Sequence, residues 1–345
     1  MLPRERVWAA INFRPPDVIP LQIHPSPAGL FEHGPKLLEL MRQCGHDFGD
    51  AAKFAMPTPP LPEDWDADGR YHAFRTDGWG TGWEYRLFGV WGHRIHYPLA
   101  DLSKLHSYRA PAPPPTTGPA WEADRKAAAA HKARYFLTGG GGLLFEQMQS
   151  LRPFADVLMD ITLDTPEINH IADLIVEYSR QLVERALALD VDAVSFGDDY
   201  GMNDRLLLTL PVWRRFFKPR YRYLFEPVRR AGKQIFFHSC GYIADLLPEF
   251  AELGVNAIWP QLPLFDLQEL ARRCRALGLA AQLHPDRGEL MQHGTPQQVR
   301  DYIQRLVEIF DSAGGGSWLY IEIDPGFPWE NVVALFEAVM ALRKV

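Results

Sequence analysis

A short apolar run at residues 234–237 (QIFF) leads directly into His238-Ser239-Cys240-Gly241. If that run is a strand, alternate side chains share a face, so His238 and Cys240 point the same way with Phe236 beneath them. An imidazole and a thiolate so placed are the donors that a borderline-soft ion such as Zn²⁺ prefers. The competing reading is a buried histidine beside a small apolar cysteine, which is common. Their place at the end of a strand favours the metal.

Two donors do not complete a site. In the run at 318–323 (WLYIEI), Trp318, Tyr320, Glu322 and Asp324 alternate with Leu319, Ile321 and Ile323. The polar face makes Glu322 the third ligand expected, with Asp324 as substitute; the alternative is an ion pair between Glu322 and an arginine. Residues 280–283 lead in the same way to Gln282, His284 and Asp286 on one side. His284 is read as a second ligand candidate or a group that handles a substrate proton. The run 193–197 (AVSFG) ends in Asp198-Asp199-Tyr200-Gly201. Adjacent carboxylates are expensive to desolvate unless a cation or a proton donor meets them. Alternation through Ser195 and Gly197 points Asp199 inward, as general base or substrate contact, whereas a pair that merely caps a helix is the plainer reading. Asp198, Tyr200, Gln261, Asp286 and Tyr320 are expected to line the substrate.

These residues need a scaffold that brings strand ends together. From about residue 135, short apolar runs at 135–138, 193–197, 234–237, 257–259, 280–283 and 318–323 alternate with amphipathic stretches at 166–188, 211–231, 242–253, 266–277 and 296–313. Gly232, Gly254 and Gly278 stand where those helices should stop. Such alternation implies a parallel sheet. A strand at 18–23 and a weaker one at 47–50 bring the count to about eight, which predicts a closed (β/α)₈ barrel with its site at the C-terminal ends of the strands. Residues 71–99 alternate aromatic and polar side chains around five glycines and predict an inserted antiparallel meander. The proline-rich stretch 111–119 reads as a connector. One domain over residues 1–345 accounts for the whole chain.

Composition bounds the partners. The 345 residues are 47% hydrophobic and 23% charged, with net charge −7 and no basic stripe, which argues against nucleic acid and anionic membrane. Three cysteines, Cys44, Cys240 and Cys274, argue against a disulfide framework. The charged opening MLPRERVWAA does not read as a signal peptide, and no apolar run approaches the ~20 residues that span a bilayer. The expectation is a cytoplasmic enzyme. A corrinoid-binding Asp-x-His-x-x-Gly, a Gly-x-Gly-x-x-Gly after a strand and a Walker loop are all absent.

Several segments together resemble the uroporphyrinogen decarboxylase superfamily: Arg4-Glu5-Arg6-Val7, Pro16-Asp17-Val18-Ile19-Pro20, the aspartates 198 and 199, His238-Ser239-Cys240-Gly241, and Pro328-Trp329-Glu330-Asn331-Val332. Within it they are similar to the branch of cobalamin-dependent methyltransferases. The resemblance implies a (β/α)₈ barrel and a zinc ion held by the residues at His238 and Cys240. Many members of that branch complete the set with a cysteine near the end of the last strand, where this chain reads Glu322-Ile323-Asp324-Pro325-Gly326-Phe327. A carboxylate, Glu322, would then take its place. The decarboxylase branch carries an arginine-rich segment after the first strand, and residues 22–34 (QIHPSPAGLFEHG) hold no Arg or Lys. The expected activity is therefore zinc-dependent methyl transfer between a small methylated compound and a separate corrinoid protein, with cobalamin arriving on that partner. The alternative is a decarboxylase-type lyase acting on a carboxylic acid.

Overall fold

The computed structural model describes residues 1–343. In chain order the strands are β1 (Leu21–His24), β2 (Ala73–Thr76), β3 (Gly82–Tyr85), β4 (His93–His96), β5 (Thr138–Gly142), β6 (Ala193–Gly197), β7 (Gln234–Ser239), β8 (Ala257–Pro260), β9 (Ala280–Leu283) and β10 (Ser317–Glu322). Seven belong to the parallel sheet, while β2, β3 and β4 form the separate antiparallel meander expected at 71–99. Helices separate the successive parallel strands, and the fold is α/β of the (β/α)₈-barrel type.

The chain divides into two compact units. One comprises Pro60–Ala128 and Thr138–Val255, with parallel strands in the order β5-β6-β7 and the meander. Its core is aromatic. Phe237 packs on Phe250 at 4.4 Å between ring centroids, and Phe196 on Phe225 at 4.7 Å. The helix Pro166–Ala188 starts where Thr165 accepts the Ile168 N–H and Pro166 fills the first turn, a position that needs no amide donor. The helix expected at 211–231 is two, Leu210–Phe216 and Lys218–Arg230, because Pro219 offers no N–H to continue the first.

The strand expected at 135–138 lies further on, at β5, whose sequence is TGGGG. Glycine is a poor strand former in isolation. Here the neighbours leave room for little else. A Cβ on Gly141 would sit 2.2 Å from the Phe196 ring, and one on Gly139 would sit 2.7 Å from the Ala186 methyl.

The other unit comprises Met1–Pro59, Ala129–Leu137 and the chain from Asn256 onward, with strands in the order β1-β10-β9-β8. Leu21 is in register with Leu319 and His24 with Glu322. The helices Leu267–Leu277, Pro296–Ile309 and Trp329–Leu342 belong to it. Residues 47–50 are not a strand. Instead, the Asp47 carboxylate accepts the Leu21 N–H and is shared by Arg6 and Arg343, and its backbone N–H reaches Leu21 O. These side-chain bonds replace the ladder that a strand would make. Gly254 and Gly278 end their helices at positive φ, as expected. No helix among the described residues is long and apolar enough to cross a membrane.

Candidate metal centre

β6 and β7 are parallel neighbours, with Gly197 opposite His238. Phe237 and Ser239 are buried, while His238 between them is partly exposed, so alternation carries Cys240 to the same side as His238. Past the strand ends the two chains stay joined. The Asp198 N–H donates to His238 O at 3.0 Å, the Gly201 N–H to Cys240 O at 3.1 Å and the Tyr242 N–H to Met202 O at 2.6 Å. The Tyr200 N–H donates to Ser239 Oγ at 3.1 Å. Glycine permits this approach. A Cβ on Gly241, which has φ +80°, would lie 2.1 Å from the Gly201 carbonyl carbon.

The zipped loops bring three donors together. Cys240 Sγ lies 3.4 Å from His238 Nε2. Asp199 Oδ1 lies 3.7 Å from that nitrogen and accepts the Cys240 N–H at 2.8 Å. The ligand atoms of Asp199, His238 and Cys240 all fall within 4.8 Å of one another, the one such group of three or more among the described residues. Tetrahedral zinc with bonds of about 2.0–2.3 Å holds its ligand atoms roughly 3.3–3.6 Å apart. The two spacings from His238 Nε2, 3.4 and 3.7 Å, are close to that range, so these three residues could hold a zinc ion.

The two aspartates have separate jobs. Asp198 is fully buried, and its carboxylate accepts the Leu144 N–H at 2.9 Å, the Glu146 N–H at 2.8 Å and the Tyr221 hydroxyl. It caps the helix Phe145–Leu151, not the helix that follows it in sequence. Burial pushes its pKa up to about 7 against the pull of those donors. Tyr200 is also buried; its hydroxyl pairs with that of Tyr221 at 2.7 Å and its ring stacks on Phe145. Neither Asp198 nor Tyr200 presents a group to a substrate, so the expectation that they line it is corrected. Asp199 instead lies at the end of the strand pair, grouped with His238 and Cys240.

Two residues beside the cluster were missed in the sequence. Glu146, in the first turn of its helix, pairs with Arg94 of β4 at 2.7 Å, and Arg94 also donates to Ser150 Oγ. Burial raises the pKa of Glu146, Arg94 opposes that shift, and the charge of Asp199 adds to it. The meander thus delivers a cation to Glu146, the carboxylate that feels the charge of Asp199. The available signal was Arg94 itself, the one arginine in the strand His93-Arg94-Ile95-His96.

In the other unit Glu322 is held by Arg287, 2.8 Å away, and accepts the Tyr320 hydroxyl at 2.9 Å. Arg287 also makes a two-pronged pair with Asp324, both contacts at 2.6 Å. Burial would lower the Arg287 pKa, but the two carboxylates outweigh it and raise it. Glu322 and Asp324, expected as metal ligands, are thus ion-pair partners, because a guanidinium fork satisfies two carboxylates that would otherwise repel. Burial and the charge of Glu322 raise the pKa of Tyr320, whose hydroxyl is committed to that pair. His284, expected to ligate or move a proton, is buried, with Nδ1 at 2.7 Å from Pro285 O and Nε2 at 2.9 Å from Pro260 O. Both ring nitrogens face backbone carbonyls, a bracing role. Gln282 is buried, and Gln261 follows β8 at intermediate exposure. Asp286 accepts the Gly288 N–H.

Residues 89–342 match the family described as Uroporphyrinogen decarboxylase (URO-D). The chain belongs to the uroporphyrinogen decarboxylase family. Among solved structures it is similar to a methyltransferase from Methanosarcina mazei, at TM-score 0.63 and 15% identity over 98% of each chain. That breadth shows a shared fold for the URO-D chain from end to end. A far weaker likeness, at TM-score 0.37 and 15% identity over 60% of this chain and 68% of the other, is to dihydropteroate synthase from Stenotrophomonas maltophilia. No curated protein sequence matches the chain.

Proposed function

We propose that this URO-D family member is a zinc-dependent methyltransferase, moving a methyl group between a small methylated compound and a corrinoid carried by a separate protein. The observation that carries the reading is the half-exposed trio Asp199, His238 and Cys240, with donor atoms within 4.8 Å. A carboxylate, an imidazole and a thiolate form a donor set suited to zinc. Zinc bound there would act as a Lewis acid, withdrawing electron density from the heteroatom that carries or receives the methyl group. The chain's own residues hold that site in shape. Asp199 Oδ1 fixes the Cys240 amide, and the buried Asp198–Tyr221–Tyr200 chain holds the loop that presents Asp199. The Arg94–Glu146 pair sets the charge beside it. The sequence given has no corrinoid-binding Asp-x-His-x-x-Gly, in keeping with a corrinoid carried by a separate protein.

The lyase reading needs free cations for substrate carboxylates. Residues 22–34 hold no Arg or Lys, Arg287 is engaged by two carboxylates, and Arg94 is engaged by Glu146. This weighs toward methyl transfer. The test is metal analysis of protein purified without chelators, followed by methyl transfer from methylated thiols, amines and methoxy compounds to free reduced cobalamin, read in the visible spectrum. About one zinc per chain is expected, lost in Cys240→Ser and in Asp199→Asn together with the transfer. Metal-free protein that releases carbon dioxide from a carboxylic acid would put the lyase in its place.

A further inference from the structure

A cavity lies within the unit that contains β8 and β9, built from residues that take no part in the cluster of Asp199, His238 and Cys240. It has a volume of about 430 Å³, large enough for a small metabolite. Its walls are the segment after β8, with Leu262, Phe265 and Gln268, then Asp286 after β9, and Tyr302 with Arg305 on the helix Pro296–Ile309. Tyr302 and Arg305 are three residues apart and share a side of that helix, next to the face that buries Val299, Ile303 and Leu306 in the core.

Asp266 also lines the cavity and spends Oδ1 as the cap of the helix Leu267–Leu277, accepting the Glu269 N–H at 3.0 Å, but three other polar groups there have capacity left. The Tyr302 hydroxyl is shut off from solvent and has no hydrogen-bond partner among the described residues. Native structures rarely leave a buried hydroxyl in that state. Burial and the charge of Asp286 raise the pKa of Tyr302, while the charge of Arg305 opposes them; all three residues line the same cavity. Arg305 and Asp286 form no ion pair among the described residues; Asp286 uses one oxygen for the Gly288 N–H. A guanidinium, the remaining oxygen of Asp286 and an unpaired hydroxyl line one cavity with the capping carboxylate of Asp266, and no ion pair among the described residues joins Arg305 to either acid, which suits a ligand that carries both charges.

We infer that this cavity binds a small zwitterion of the α-amino-acid class, its carboxylate on Arg305 and the Tyr302 hydroxyl, its ammonium on Asp286, and an apolar side chain against Leu262 and Phe265. The guanidinium can give a carboxylate two parallel hydrogen bonds, and Tyr302 gains the partner it lacks. The site is independent of the methyl-transfer reading. Titration calorimetry of the purified full chain with L-leucine and L-phenylalanine tests it, alongside 4-methylpentanoate and 3-methylbutylamine, which carry one charge each. The amino acids should bind with at least tenfold smaller Kd than either half-ligand. Arg305→Ala, Asp286→Asn and Tyr302→Phe should each raise that Kd tenfold or more. Arg305 is exposed, so its variant tests binding and not folding. No binding of either amino acid, equal binding of a half-ligand, or Arg305→Ala binding like wild type would each overturn the assignment.

Discussion

Replacing Asp198 by asparagine separates the two neighbouring aspartates by what each holds. Asp198 Oδ1 accepts the Glu146 N–H, and Oδ2 accepts the Leu144 N–H and the Tyr221 hydroxyl. An asparagine offers one oxygen. In either amide orientation one of the two backbone N–H groups faces an NH₂ and loses its acceptor. An orphaned buried donor costs about 1–3 kcal/mol, and the surviving bonds weaken because they are no longer charge-assisted, so the total is about 2–4 kcal/mol. For a chain of this length 1 kcal/mol moves the midpoint by roughly 1.5 °C, which makes the expected fall roughly 3–6 °C. Asp199→Asn keeps an oxygen for the Cys240 N–H and is half exposed, so its midpoint should move by about 1 °C or less. The assay is scanning calorimetry of chelator-treated protein, which removes any stabilisation by bound metal. Equal shifts, or a larger one for Asp199→Asn, would refute the claim that Asp198 is the structural member of the pair.

Arg287→Ala leaves Glu322 and Asp324 without their shared cation and should lower stability by about 2–4 kcal/mol in denaturant titrations, with zinc content unchanged. Glu322→Gln should likewise keep its zinc; a loss as complete as in Cys240→Ser would return Glu322 to the ligand set. Acid should act through His46, whose Nδ1 accepts the Ile23 N–H while its buried Nε2 has no partner among the described residues. Burial, then the charges of Arg343 and His131, lower its pKa to about 4. A depressed histidine pKa means that the unfolded chain binds the proton more readily. The contribution is therefore full above about pH 6.5 and is lost as pH falls toward 4, by about 2–3 kcal/mol. His46→Phe should flatten that part of the wild-type stability profile, measured as urea midpoints between pH 7 and 4.5.

Much of the scaffold was legible in local pattern. Residues 193–197 and 280–283 form the strands expected from their apolar runs, and the helix Pro166–Ala188 has the bounds that its cap and periodicity imply. Alternation also placed His238 and Cys240 on one side of one strand. These are properties of residues close in the chain, where a pleat of period two or a helix of period 3.6 acts directly on the sequence. The glycine strand β5 was shifted and the strand at 47–50 was not found. In the first, Phe196 and Ala186 leave room only for glycine; in the second, an aspartate shared by two arginines replaces a ladder.

The partners of the strand-end side chains were decided by tertiary structure. Nothing within residues 197–201 says that Asp198 will cap a helix some fifty residues earlier while Asp199 meets Cys240. Nor does the polar face of 318–324 say that Arg287, on the loop after β9, will engage both Glu322 and Asp324. A sequence pattern states which way a side chain faces. The group that waits there is supplied by another loop, and Coulomb attraction and hydrogen-bond geometry choose among the groups that packing brings within reach.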